Sequence, residues 1–316
     1  VARHADVLGL IGNTPLVSLA PLSPSPDVAL WAKLEGQNPG GSVKDRIALA
    51  MVETAEAEGL LTPGATILEP SSGNTGIGLA MVCRVKGYRL RIVLPENVSV
   101  ERRQLLEVFG AEIVPSPGEE GSNGAIRVAE ELAKDGDAVL LHQYRNAANP
   151  QAHYEGTGPE IWADCPEVDV FVAGLGTSGT LMGVGRFLKE RNPDVKVVAV
   201  EPPAGEEIQA LRSLDEGYVP PIFDPDVLDR KFVVRARESI EWTRRLAADC
   251  GLFAGLSSGA AVAGAVRIAA ELAEQPGETA TVVTLLPDGG WKYLSTGAWT
   301  DDLDVVAERA KKIIFF

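Results

Sequence analysis

Thr66-Ile-Leu-Glu-Pro70 runs into Ser71-Ser-Gly-Asn-Thr-Gly76, and an apolar helical pattern continues from Thr75 to Lys86. The same build recurs where Asp169–Ala173 runs into Gly174-Leu-Gly-Thr-Ser-Gly-Thr180 and a helical pattern that ends at Arg191. A strand that turns straight into a helix is carried back by that helix, so the next strand lies parallel to it. Outward from these two units, strands are expected at Leu30–Leu34, Arg89–Leu94, Glu112–Val114, Val139–His142, Val195–Glu201, Lys231–Val234 and Thr281–Leu285. Helical patterns lie at Val43–Glu58, Val100–Phe109, Asn123–Lys134, Ile240–Cys250 and Gly259–Ala273. The strands are nearly all apolar instead of alternating, so both faces of each sheet are covered. The fold class is α/β, with two domains that each hold a mainly parallel sheet covered by helices.

The Asn- and Pro-rich stretch Asn146–Pro150 breaks the alternation near mid-chain and marks a domain boundary. Asp215–Asp229, with Gly217, Pro220, Pro221 and Pro225, is long for a plain connection. A functional flap and an ordinary surface crossing both fit it.

The chain has 316 residues, 45% of them hydrophobic and 23% charged, which excludes a disordered or collagen-like chain. There are 29 Lys and Arg against 44 Asp and Glu, a formal net charge of −15, which argues against a nucleic-acid surface. An anionic substrate must therefore be captured by local donors. Cys83, Cys165 and Cys250 are far apart, and neither a disulfide framework nor a metal site with His4, His142 or His153 can be assembled from them. No metal is expected. With no secretory leader pattern and no long uninterrupted apolar span, the expectation is a cytoplasmic enzyme with no membrane partner.

Glycines let a ligand approach the backbone, the first amides of a helix are free, and Ser or Thr hydroxyls add donors, so both turns have the makings of an anion site. Neither ends in the Gly-Lys-Ser/Thr of a nucleotide-hydrolysing loop, and the bare Gly174-Leu-Gly-Thr-Ser-Gly179 spacing lacks the acidic ribose partner of a dinucleotide site. Each turn alone fits helix packing as well as anion binding. Together, on opposite sides of the boundary, they point to a cleft ligand bearing a phosphate and a carboxylate. Asn38-Pro-Gly-Gly-Ser-Val-Lys-Asp-Arg46 places Lys44 in the first turn of a helix, where the dipole opposes its charge and favours the neutral amine needed for a Schiff base. The plain alternative is a solvated lysine.

These segments, in this order, resemble the cysteine synthases of the pyridoxal-phosphate β-family, of the tryptophan synthase β-like fold type II. Ile11-Gly-Asn-Thr-Pro-Leu16, Ala254-Gly-Leu-Ser-Ser-Gly259 and Tyr293-Leu-Ser-Thr296 extend the likeness over almost the whole chain. The resemblance implies pyridoxal 5'-phosphate held by Lys44 as a Schiff base, with Lys44 also moving the substrate α-proton. It implies Gly176, Thr177, Ser178, Gly179 and Thr180 as the cofactor-phosphate loop, Asn74 at the ring hydroxyl and Ser257 at the pyridine nitrogen. Ser71, Ser72, Asn74, Thr75 and Gln143 are implied to take the substrate carboxylate. A neutral hydroxyl at the pyridine nitrogen suits β-elimination and replacement better than transamination, although Ser257 is equally readable as a helix N-cap. The implied division is a smaller domain, 41–147, carrying Lys44 and the carboxylate loop, and a larger one, 1–40 plus 148–316, carrying the phosphate loop and a tail from about 301 to 316. Gly40, Ser71 and Ala147 depart from the usual Thr or Ala, Thr and Pro, and none of these departures removes a reacting group.

Within the family the chain is similar to the branch that uses O-phosphoserine. Arg212, in Ala210-Leu-Arg-Ser-Leu-Asp-Glu-Gly-Tyr218, falls at that branch's substrate-phosphate arginine, and a guanidinium fork suits a phosphate dianion. Its plain alternative is a surface salt bridge with Asp215 or Glu216. Gly290-Trp-Lys-Tyr-Leu-Ser-Thr296 and the apolar terminus Lys311-Lys-Ile-Ile-Phe-Phe316 add to the likeness. In that branch the tail enters the cleft; docking on another surface is the alternative. The implied activity is β-replacement of O-phospho-L-serine through an aminoacrylate, with sulfide or a sulfur-carrier protein thiocarboxylate giving L-cysteine. O-Acetylserine sulfhydrylase, cystathionine β-synthase and a non-catalytic regulator of serine acetyltransferase are the rival readings. A homodimer is the family expectation.

Overall fold

The computed structural model describes residues 3–310 apart from 72, 99, 276 and 278. Ser72 and the apolar terminus Lys311–Phe316, both singled out above, lie outside the described residues. The strands are β1 Leu16–Ser18, β2 Val28–Leu34, β3 Thr66–Pro70, β4 Arg89–Pro95, β5 Glu112–Ser116, β6 Val139–Leu140, β7 Val170–Gly174, β8 Lys196–Glu201, β9 Arg230–Val233 and β10 Ala280–Leu286. The α-helices are α1 Lys44–Ala57, α2 Asn74–Lys86, α3 Val100–Val108, α4 Gly121–Leu132, α5 Ala148–Ala152, α6 Gly158–Asp164, α7 Gly179–Arg191, α8 Ala236–Cys250, α9 Leu256–Ala273 and α10 Leu303–Ala310.

Two sheets result. One runs β5-β4-β3-β6 and is parallel throughout; the other runs β1-β2-β10-β7-β8-β9 and is parallel except for the short edge strand β1. The absence of alternation in the strand sequences has the cause inferred above. In β10, Val282 and Leu286 enter the core on one face, while Val283 and Leu285 enter the core on the other. In β7, Val170 and Val172 face the first core and Phe171 and Ala173 the second. Helices α8 and α9 cover the first face, and α6 and α7 the second. Helix α9 is long and apolar enough to cross a membrane by length and composition, yet 61% of it is buried inside the protein as a core helix.

Several expectations are corrected. Asn146–Pro150 is partly helical instead of irregular: Asn146 Oδ1 accepts the Ala148 amide at 3.0 Å just ahead of α5, and Pro150 falls in the first turn, where a missing N–H does no harm, while the chain passes from one sheet to the other between β6 and β7. A π-helical turn, His153–Thr157, joins α5 to α6. Strand β6 stops at Leu140 instead of His142, because the His142 and Gln143 amides leave the ladder for the Glu69 carboxylate at 2.7 and 3.0 Å. Strand β1 and helix α10 were not expected; the first is three residues long and paired only at the edge.

Candidate active site

Strands β3 and β7 end at the same cleft, each at its carboxyl end, where a parallel sheet presents helix N-termini and loops. Lys44, Asn74, Gly176 and Thr177 line both halves of this cleft. Its outer half, about 600 Å³, adds Ser71, Thr75, Gln143, Ser122, Tyr144 and Arg212, and its inner half adds Ser178, Gly179, Thr180 and Ser257. Every described residue expected at the site therefore lines one space.

Lys44 is the first residue of α1, and its amide donates to Ser42 Oγ at 3.2 Å. Burial of its amine lowers the pKa to about 8, with Lys292 pushing the same way and Asp288 and Glu35 opposing. The turn of α1 that carries it is anchored by a buried ion network. Arg46 donates to both oxygens of Glu160 at 2.7 Å and to both of Glu35 at 2.7 and 2.8 Å. Thr14 Oγ1 donates to Glu35 at 2.6 Å, and Lys33 pairs with Glu160 at 2.8 Å. Ile11–Leu16 thus contributes through Thr14 to holding Lys44's helix and does not line the cleft.

On the β3 side, Ser71 Oγ accepts the Gly76 amide at 3.0 Å and so shapes the start of α2. Thr75 Oγ1 donates to Gln143 Oε1 at 2.7 Å, while Gln143 Nε2 donates to Pro70 O at 3.2 Å. Glu69 lies behind them, fully buried, with burial raising its pKa to about 8 although the two backbone amides favour the carboxylate. It is the one acid in an otherwise apolar run, a signal readable in the sequence.

On the β7 side the loop is crowded enough to require its glycines. A Cβ on Gly176 would stand 2.4 Å from Ala210 O, and one on Gly179 only 1.8 Å from Asn149 Oδ1. Asn149 Nδ2 donates to Thr177 Oγ1 at 3.0 Å, and buried His153 lies between Thr157 Oγ1 at 2.9 Å and Thr180 Oγ1 at 3.3 Å. Burial holds the His153 imidazole neutral by lowering its pKa well below the ordinary value. Ser257 does not cap α9, contrary to one reading above: the N-cap is Gly255, and Ser257 lies inside the helix, 4% exposed, facing the cleft.

Arg212 has a setting unlike the salt bridge considered for it. It is 5% exposed, and its guanidinium carbon lies 5.3 Å from the Tyr144 ring centroid and 4.7 Å from that of Tyr218. Its Nη2 donates to Ser122 Oγ at 2.9 Å and its Nη1 to Asn123 Oδ1 at 3.3 Å, across the cleft on α4. Among the described residues no carboxylate lies within ion-pair distance of it, and Glu216 instead accepts the Gly205 amide at 3.1 Å. Tyr144, Tyr218 and Ser122 were invisible to sequence reasoning, because only the folded chain brings them to Arg212.

The family model for pyridoxal-phosphate dependent enzymes matches residues 7–288. A cysteine synthase of Staphylococcus aureus is 44% identical over 306 residues, 94% of this chain and 97% of that protein. The chain belongs to the cysteine synthase family. Cysteine synthase B of Escherichia coli is 43% identical over 92% of this chain and 95% of its own length. Among solved structures, an O-ureido-L-serine synthase superposes with a TM-score of 0.88 at 42% identity, covering 95% of this chain and 97% of that one. As a member of the cysteine synthase family the protein uses pyridoxal phosphate. The residues present fit that group. Helix α7 starts without a side-chain cap, Ser178 Oγ is buried with no partner among the described residues, and the loop leaves no room for side chains at Gly176 and Gly179. Free amides and a spare hydroxyl at a helix N-terminus are what a phosphate dianion needs.

Proposed function

We propose that this cysteine synthase family member takes O-phospho-L-serine as its activated serine and makes L-cysteine by β-replacement. The observation that carries the reading is Arg212: a buried guanidinium without a carboxylate partner among the described residues, within cation–π distance of two tyrosines on the wall of the cleft. A phosphate ester brings the dianion that such a fork pairs with; an acetyl ester brings no charge. In a chain of net charge −15 that local cation also offsets a field unfavourable to the substrate.

Pyridoxal phosphate, when bound, supplies the electron sink for charge developing at the substrate α-carbon. The chain's residues do the rest. Gly176–Thr180 and the start of α7 would hold the cofactor phosphate, Ser257 would offer a neutral hydroxyl to the ring nitrogen, and Asn74 would offer its amide to the ring oxygen. Ser71, Ser72, Asn74, Thr75 and Gln143 hold the substrate carboxylate, and Lys44 Nζ takes the α-proton. Its depressed pKa, about 8, leaves a usable fraction of free amine near neutrality. Arg212 holds the leaving phosphate, and the sulfur donor, sulfide or a carrier-protein thiocarboxylate, adds at the same β-carbon.

The test is kcat/KM for O-phosphoserine and O-acetylserine with sulfide as common acceptor, and with homocysteine as an alternative acceptor. The reading expects the phosphate ester to win by at least tenfold, with sulfide preferred to homocysteine. An enzyme that favours the acetyl ester overturns it.

A further inference from the structure

The motif Gly290-Trp-Lys-Tyr293 lies outside the cleft lining, yet its lysine bonds Asn74, which lines both halves of the cleft. Lys292 is 8% exposed, and its ammonium donates to Asn74 Oδ1 at 2.7 Å and to Gly41 O at 3.2 Å. The other end of the same carboxamide, Asn74 Nδ2, donates to Asp288 Oδ2 at 2.8 Å. Asp288 is 2% exposed and is fixed in turn by the Tyr293 hydroxyl, which donates to the same oxygen.

We infer that Lys292 is a positioning residue: with Asp288 it clamps the Asn74 carboxamide in one of its two orientations, amide nitrogen toward the carboxylate and oxygen toward the ammonium. A flip by half a turn would set Oδ1 against a buried carboxylate and the NH2 group against a buried ammonium, two repulsive contacts in place of two charge-assisted bonds. Asn74 Nδ2 has two N–H groups, and Asp288 engages one through Oδ2, so the clamp leaves the second as a donor for the cleft. This rests on the reading above in which Asn74 faces the cofactor's ring oxygen, an acceptor.

The clamp also places a second cation near Lys44. Lys44 faces Asp288, Glu35 and Lys292, and Lys292 faces Asp288, Asp45 and Arg102. Lys292 therefore acts in two separable ways, by a hydrogen bond that orients Asn74 and by a charge that disfavours protonation of the nitrogen at position 44.

Lys292→Met removes both, and Lys292→Gln keeps a donor for Asn74 without the charge. Each is made alone and with Asn74→Ala, and two quantities are measured on purified protein. One is the dissociation constant for pyridoxal phosphate; the other is the pH midpoint of the visible band of the lysine-bound cofactor. Lys292→Met is expected to weaken cofactor binding about tenfold, and to add less than twofold in the Asn74→Ala background, because the lysine acts through Asn74. Lys292→Gln is expected to bind within about threefold of wild type, while both variants move the pH midpoint upward, since each removes the cation near Lys44. Equal weakening by Lys292→Met with and without Asn74 overturns the inference, as does a pH midpoint that neither variant moves. Should the methionine variant fail to fold, the glutamine variant decides: near-normal affinity supports the clamp, and a loss of affinity that persists undiminished in the Asn74→Ala background overturns it. These readouts need no substrate, so their failure is distinct from a failure of the phosphoserine assignment.

Discussion

Replacing Arg212 by alanine removes the group on which the choice of substrate is argued to turn. The guanidinium is buried, its central carbon lies near the Tyr144 and Tyr218 rings, and its two terminal nitrogens are already directed at Ser122 and Asn123 across the cleft. A hydrogen bond to a charged partner contributes about 1.5–3 kcal/mol, so losing a two-pronged contact to a departing phosphate removes about 3 kcal/mol of transition-state stabilisation. That is roughly a 150-fold loss in kcat/KM for O-phosphoserine. The acetyl ester has no charge for the fork, so its kcat/KM is expected to change less than about threefold. Arg212→Lys keeps a charge without the planar fork and should lie between the two. The assay is initial-rate cysteine formation from each ester, with the visible band and a thermal melt confirming that each variant is folded and loaded. The reasoning is refuted if both esters lose activity equally, which would make Arg212 a support for the fold, or if the phosphate ester loses nothing.

Three other outcomes follow from the same geometry. Glu69→Ala leaves the buried His142 and Gln143 amides without an acceptor, which should destabilise the protein by about 3 kcal/mol, read as a lowered urea midpoint, and raise KM as Gln143 loses its place. Gly179→Ala drives a methyl into Asn149 Oδ1, 1.8 Å away; overpacking of about 2 kcal/mol predicts roughly thirtyfold weaker cofactor binding by titration of the apoprotein. Uptake of pyridoxal phosphate by apoprotein needs the free amine of Lys44, so its rate should rise with pH and level off above about 8. A rate still climbing toward pH 10 would place the amine in the ordinary lysine range.

Much of the fold was legible because parallel strands buried on both faces are continuous apolar runs, and Thr66–Pro70 and Val170–Gly174 read that way without help. Helices α1, α2, α3 and α7 were found within a residue or two, since their sequence periodicity is local. What escaped depends on contacts distant in sequence. The shortening of β6 follows from a carboxylate more than seventy residues away. Asn149 behind the phosphate loop and Ser122 beside Arg212 gain their meaning from neighbours 28 and 90 residues off. The helical start within Asn146–Pro150 was not legible because Asn and Pro mark breaks and helix starts alike, and only the side-chain bond to the Ala148 amide decides between them. Most residues that line the cleft were readable as motifs; Ser122 and Tyr144, which also line it, were not, and neither was Asn149 behind the phosphate loop.

The most direct measurement omits the sulfur donor altogether. Loaded enzyme is mixed with O-phosphoserine, and inorganic phosphate is counted against active sites in the first turnover. The account predicts a burst of one phosphate per site that vanishes in Lys44→Ala. A loaded enzyme that releases acetate from O-acetylserine in such a burst, yet no phosphate from O-phosphoserine, would contradict it.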